Sequence, residues 1–205
     1  MNILSWNIVY NENSKFLYFG PFKLPYLSDE DKLLASIINI IYKYKDKNTI
    51  ISLQNVKLNL VKKIQDNFKD KTGFSQYYVD DNYMVLLAPS NYKLDINENN
   101  KFFSISNNEY RITIILNELN NFTYNEILDY LILLPTDLQN IVTCNIGLNQ
   151  KILDNTIGFR YIIPSNNSEN QLNNILIDRE KIKNFKINFY NHNNISNNEI
   201  IKITF

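Results

Sequence analysis

The 205-residue chain has one cysteine, Cys144, so no disulfide can form within it and a buried core must hold it together. It has one histidine, His192. Neither sign of charge is in excess, with 21 Lys and Arg against 21 Asp and Glu. A strong, salt-dependent attraction to phosphate needs a positive field, and overall composition supplies none. No apolar run approaches the roughly 20 residues that span a bilayer, so no membrane insertion is expected. Met1 leads straight into strand-like sequence without a charged leader or a cleavage site, and an intracellular, soluble protein is expected. A hydrophobic content of 44% is too high for a disordered chain and fits one domain over residues 1–205.

Asparagine fills much of the space left by these scarcities, in clusters such as Asn99-Asn100, Asn107-Asn108, Asn166-Asn167 and Asn193-Asn194. Together with abundant Ile, Lys and Tyr, this points to AT-rich coding sequence, as in a parasite, a protist or a large DNA virus. A viral source places the chain in the host cytoplasm or another host-cell compartment.

The run Ile50-Ile51-Ser52-Leu53-Gln54-Asn55-Val56 is apolar, β-branched and short, the mark of a buried strand. Its carboxyl end carries the amides Gln54 and Asn55, and ligands of open α/β sheets bind outside the carboxyl ends of strands. Met1 to Ile8 is a second such strand, with Asn7 near its end. Between the two, Ser28 and Asp31 have capping-box spacing, and Leu33, Leu34, Ile37, Ile38 and Ile41 recur at helical period. Val56, Leu60, Ile64 and Phe68 line one face of a second helix, and Lys57, Lys62, Lys63 and Lys69 its solvated face. Further strands are expected at Gly73–Val79, Tyr83–Pro89, Arg111–Leu119, Ile141–Gly147, Phe159–Pro164, Asn174–Asp178 and Ile200–Phe205, with a polar hairpin over Asn91–Asn108. A third helix follows the Thr123/Glu126 capping box and stops at Pro135. Cys144 reads as a small core residue, Asp29-Glu30-Asp31 as a helix N-terminus and Asp80-Asp81 as a turn.

The pair Trp6-Asn7 on the first strand, then Leu53-Gln54-Asn55-Val56 on the next, resembles the endonuclease/exonuclease/phosphatase superfamily, the DNase I-like proteins. The resemblance implies an α/β (α+β) fold, a two-sheet β-sandwich flanked by helices in four layers. It also implies where a Mg²⁺-dependent phosphodiesterase site stands, and there the chain departs from the pattern. The metal-binding glutamate falls on Asn55. The Gly-Asp-Phe-Asn motif falls near Asn145 and Gly147, the Ile-Asp-Tyr-Ile motif puts its acid at Asn173, and the final Ser-Asp-His matches Asn191-His192. The histidine of the superfamily's His-Leu pair falls on Glu118. Asn7, Asn55, Asn145, Asn173, Asn191 and His192 thus form a vestigial site that no carboxylate completes, with no metal or other cofactor expected.

Three functions follow in order of preference. The first is a catalytically inactive DNase I-like protein acting as a protein-binding or assembly module. Fourteen tyrosines and twelve phenylalanines suit an interface with a protein partner or a second copy, and Tyr10, Phe16, Tyr18 and Phe19 in the early loop are candidate contacts. The second is an active Mg²⁺-dependent phosphodiesterase or nuclease drawing its acids from Glu118, Asp154 or Asp178. The third is a non-catalytic nucleic-acid binder using Lys57, Lys62, Lys63 and the Arg179, Lys181, Lys183 and Lys186 group.

Overall fold

The computed structural model describes residues 1–8, 29–45, 48–54, 56, 58–68, 74–79, 84–89, 91–96, 103–115, 124–134, 136–144, 159–162, 174–178, 181–190 and 200–205. Twelve strands and three helices lie within them. The strands are β1 (Asn2–Asn7), β2 (Thr49–Gln54), β3 (Phe74–Val79), β4 (Met84–Pro89), β5 (Lys93–Ile96), β6 (Phe103–Ser106), β7 (Tyr110–Ile115), β8 (Gln139–Cys144), β9 (Phe159–Ile162), β10 (Asn174–Asp178), β11 (Lys186–Tyr190) and β12 (Ile200–Thr204). The helices are α1 (Asp29–Tyr44), α2 (Leu58–Phe68) and α3 (Tyr124–Ile132). The strands form two sheets, ordered β11-β12-β1-β2-β4-β3 and β5-β6-β7-β8-β10-β9. The strands and helices read from apolar patterning fall where they were expected. β5 and β6 pair antiparallel as the hairpin expected over Asn91–Asn108, while β11 occupies a segment where no strand was expected.

Strand alternation explains why the sheets stack. On β1, Ile3 faces one core cluster while Leu4, Trp6 and Ile8 face another. β2 divides the same way, with Ile50 on one side and Ile51 and Leu53 on the other. The first cluster adds Ile112, Ile114, Ile141, Ile175 and Ile177 from the second sheet, so it is the layer between the sheets. The other cluster adds Leu33, Ile37, Ile40 and Ile41 of α1 and Leu60, Val61, Ile64 and Phe68 of α2, so both helices cover the outer face of the first sheet. α3 covers the second sheet. There Tyr130 shares a 3.1 Å hydrogen bond with Thr113 of β7, whose flanking residues Ile112 and Ile114 point inward. The result is helix, sheet, sheet, helix, the four layers expected. β1 and β2 are buried on both faces, so their helix-facing side is apolar at Leu4, Trp6, Ile51 and Leu53, while their inner face is apolar at Ile3 and Ile50 and turns polar toward the carboxyl ends.

Local contacts fix the helices. The first-turn acids Glu30 and Asp31 of α1 receive Lys63 of α2 at 3.5 and 3.3 Å, and Glu30 also accepts from Asn59 Nδ2 at 2.5 Å. Acidic groups there also suit the positive end of the helix dipole. At the other end, Lys202 of β12 donates to the Tyr44 carbonyl at 2.8 Å, satisfying an acceptor that the helix leaves open. Tyr42 stacks on Phe68 at 5.1 Å and ties α1 to α2. Among the described residues, no helix is long and apolar enough to cross a membrane.

Candidate functional site

Parallel pairing of β1 with β2, with Asn2 opposite Thr49 and Asn7 opposite Gln54, sends both carboxyl ends to one end of the sandwich. β7 and β8 are also parallel, and the Ser52–Thr143 hydroxyl contact of 3.0 Å between the sheets puts their carboxyl ends at that same pole. β10 runs antiparallel to β8, with Asn174 opposite Cys144, and so begins there. β12 is antiparallel to β1 and β11 to β12, so β11 ends at this pole with Tyr190.

Six of the strand ends therefore converge, and six sequence-predicted residues adjoin five of them along the chain. Asn7 is on β1 itself and fully buried. Asn55 follows β2, Asn145 follows β8, Asn173 precedes β10, and Asn191 with His192 follows β11. Those last five residues lie outside the described residues, as do Lys57, Arg179, Glu118, Asp154 and the early-loop aromatics Tyr10, Phe16, Tyr18 and Phe19.

The described part of the pole is a neutral polar floor. Along the inward face of β1 the sequence changes from Ile3 to Ser5 to Asn7. On β2 it changes from Ile50 to Ser52 to Gln54, and on β8 from Ile141 to Thr143. All five polar side chains are fully buried. Gln54 Nε2 donates to Ser5 Oγ at 3.0 Å and to Ser52 Oγ at 3.2 Å, and Ser52 continues to Thr143. The amide thus links neighbouring strands, and the hydroxyl pair links the sheets. Gln54 Oε1 is buried and accepts no hydrogen bond. A buried acceptor without a donor costs roughly 1–3 kcal/mol, so this group sits where a donor from a water or a ligand is favourable. The strand's carbonyl is used in the sheet's own continuation, accepting from Ile8 N at 2.9 Å.

Sequence reading singled out Gln54 and Asn7 but missed Ser5, Ser52 and Thr143. The signal lies in the period of two, since Ser5 and Ser52 occupy matching register positions on paired strands, each two residues before a buried amide.

The floor does not suit a hard divalent cation. Mg²⁺ in a catalytic site is held largely by carboxylate oxygens, and the described floor contributes only hydroxyls and amides. Among the described residues, no group of three or more His, Cys, Asp and Glu could hold a metal ion.

Several charged candidates are placed elsewhere. Asp178 closes β10 at the far pole, roughly 13 Å along the strand from Asn174, and takes the amide of Lys181 at 3.2 Å. It cannot supply an acid to the carboxyl pole, which corrects that part of the active-enzyme reading. Lys63 is exposed but paired with Glu30 and Asp31, and its hydrogen bond to Asp31 holds its pKa above the ordinary lysine value. Lys181 donates to the carbonyls of Thr136 and Leu138, the latter at 2.8 Å. Lys62 is exposed on α2, and Lys183 and Lys186 are exposed beside and on β11.

The far pole has a cleft of about 230 Å³ lined by Met1, Pro89, Tyr92, Asn107, Glu109 and Tyr110 among others. Burial pushes both tyrosines' pKa values up, and Glu109 raises them further. Its carboxylate accepts from Gln139 Nε2 at 3.2 Å and makes the cleft unfavourable for phosphate.

The arrangement of the two sheets has counterparts among solved structures. A humanized TDP2 of D. rerio superposes with a TM-score of 0.62 over 100% of this chain and 98% of its own, at 13% identity. The 3'-5' exonuclease NExo of Neisseria meningitidis gives 0.61 over 100% and 99% at 10% identity. The chain has the DNase I-like fold. The human Nocturnin catalytic domain, with a sulfate anion bound, gives 0.59 over 100% and 93% at 13% identity. No family profile matches this DNase I-like chain, and no curated protein matches it in sequence.

Proposed function

We propose that this chain is a non-catalytic protein on the DNase I-like fold, used as a protein-binding or assembly module. One observation carries the reading. At the pole where these six strand ends converge, the buried side chains among the described residues are neutral, and the four sequence positions that adjoin those ends and align with the superfamily's acids are Asn55, Asn145, Asn173 and Asn191.

Phosphodiester cleavage on this scaffold needs a dication to neutralise charge building on the phosphoryl group and a base to activate water. Amides serve neither need well. A neutral carbonyl offers little to offset the dehydration of Mg²⁺. An amide beside His192 can hydrogen-bond the ring, yet it cannot stabilise an imidazolium as a carboxylate does. Loss of every acid at once is simpler to explain by loss of the chemistry than by a new mechanism.

A nucleic-acid-binding role is less favoured. The overall charge is balanced, and Lys63 and Lys181 are engaged by partners within the chain. Tyrosine abundance instead favours a protein partner.

The test is an incubation with Mg²⁺ or Mn²⁺ and single- and double-stranded DNA and RNA. The natural protein is run beside an Asn55→Glu/Asn145→Asp/Asn191→Asp variant and a His192→Ala variant. No cleavage by the natural protein, with activity gained by the triple variant, is the expected result. Metal-dependent cleavage by the natural protein that disappears in His192→Ala overturns the reading and assigns the acids to residues such as Glu118 and Asp154.

A further inference from the structure

Among the described residues, four strands close the edges of the two sheets: β3 and β11 in the first, β5 and β9 in the second. An edge strand presents unpaired backbone donors and acceptors, and proteins commonly guard it with a charge or a proline. Three of the four edges follow that rule. β11 carries Lys186, β5 carries Lys93 and Asp95, and β9 carries Arg160. β3 reads Phe74-Ser75-Gln76-Tyr77-Tyr78-Val79, without a charge, proline or glycine. At six residues it is also the longest of the four, and it is rich in the aromatic and β-branched residues that favour strands.

We propose that β3 is the assembly edge of this protein and that its occupant is the β3 strand of a second copy, joined antiparallel across a two-fold axis. This deepens the assembly reading above by naming the partner.

Three considerations select a second copy over an unrelated peptide. A second β3 is already an extended strand, so it does not pay the ordering cost of a free peptide. The chain's formal net charge is +0, so two copies do not repel each other on approach. The segment also matches itself. An antiparallel two-fold pairing keeps each side chain on its own face of the joined sheet, which puts either Gln76 or Tyr77 at the axis. With Gln76 at the axis, Phe74 lies opposite Tyr78 and Ser75 opposite Tyr77. With Tyr77 there, Gln76 lies opposite Tyr78 and Ser75 opposite Val79. Neither register sets one charge against another, and the first makes two aromatic cross-strand pairs of a stabilising kind.

Sedimentation velocity over a concentration series, with the natural protein and single-residue variants, tests this. A reversible dimer is expected. Gln76→Lys places like charges at or beside the axis, as the other edges do, and is expected to weaken the dimer at least tenfold, by about 1.4 kcal/mol. Asn188→Lys on β11 is the control and leaves it unchanged. In a Cys144→Ala background, Gln76→Cys or Tyr77→Cys at the axis gives a covalent dimer on mild oxidation, a readout that does not depend on lost stability. A monomer at every concentration overturns the proposal, as does a dimer that withstands Gln76→Lys and yields no cross-link from either cysteine. Cleavage assays do not enter this test, so a failure here leaves the non-catalytic reading in place, and the reverse also holds.

Discussion

Gln54 is the side chain on which the candidate site turns. Its amide nitrogen joins β2 to β1 through Ser5 and reaches Ser52, which carries the link to Thr143 on the other sheet. Gln54→Ala removes two buried hydrogen bonds and leaves a void among polar groups, so a loss of roughly 2–3 kcal/mol in denaturant unfolding is expected. An unchanged midpoint would mean that water already satisfies the serines. In a double-mutant cycle, Ser52→Ala with Thr143→Val should reveal coupling of about 1 kcal/mol between the sheets, whereas additive losses would mean that the contact contributes nothing. Tyr92 gives a pH prediction. Burial raises its folded pKa above the unfolded value of 10.0, so the folded chain keeps the proton longer than the unfolded one. That stability is fully present below the unfolded value and is lost as pH rises above it. Denaturant melts in the alkaline range should show a decline that Tyr92→Phe flattens, and an equal decline in both proteins would place the effect elsewhere.

At the level of elements, the apolar code predicted most of what forms. Ile3, Leu4 and Trp6 on β1 and Ile50, Ile51 and Leu53 on β2 divide between two cores, and the period of Val56, Leu60, Ile64 and Phe68 marks the buried face of α2, every one of these four fully buried. Phe68→Ala should cost about 3–5 kcal/mol in chemical unfolding. Lys62→Ala on the exposed face should leave the melting temperature unchanged, and a large shift there would contradict a solvated face. The hairpin of β5 and β6 was legible over Asn91–Asn108, but its strand bounds were not, because short edge strands have few apolar positions. Lys93-Leu94-Asp95-Ile96 has only two, and its charges suit an edge more than a core. The helix N-terminus at Asp29-Glu30-Asp31 was legible from its position before an apolar period. The reach of Glu30 and Asp31 to Lys63 on α2 was not, because contacts between helices depend on packing angle as well as spacing.

For the whole molecule, the separation of the poles decides the functional reading. Strand direction sends Asn7 and Gln54 to one end and Asp178 to the other, a distinction invisible in the sequence without β10's antiparallel pairing to β8. The motif residues were legible because Trp6-Asn7 and Leu53-Gln54 close short strands rich in apolar residues. Ser5, Ser52 and Thr143 were not, since small hydroxyl residues are common in any strand and only pairing register brings them together. A pole lined by amides and hydroxyls should hold dications poorly. A calorimetric Mn²⁺ titration of the natural protein beside the Asn55→Glu/Asn145→Asp/Asn191→Asp variant tests that claim most directly. No saturable site is expected in the natural protein and a measurable one in the variant. Tight one-to-one binding by the natural protein, unchanged in the variant, would contradict it.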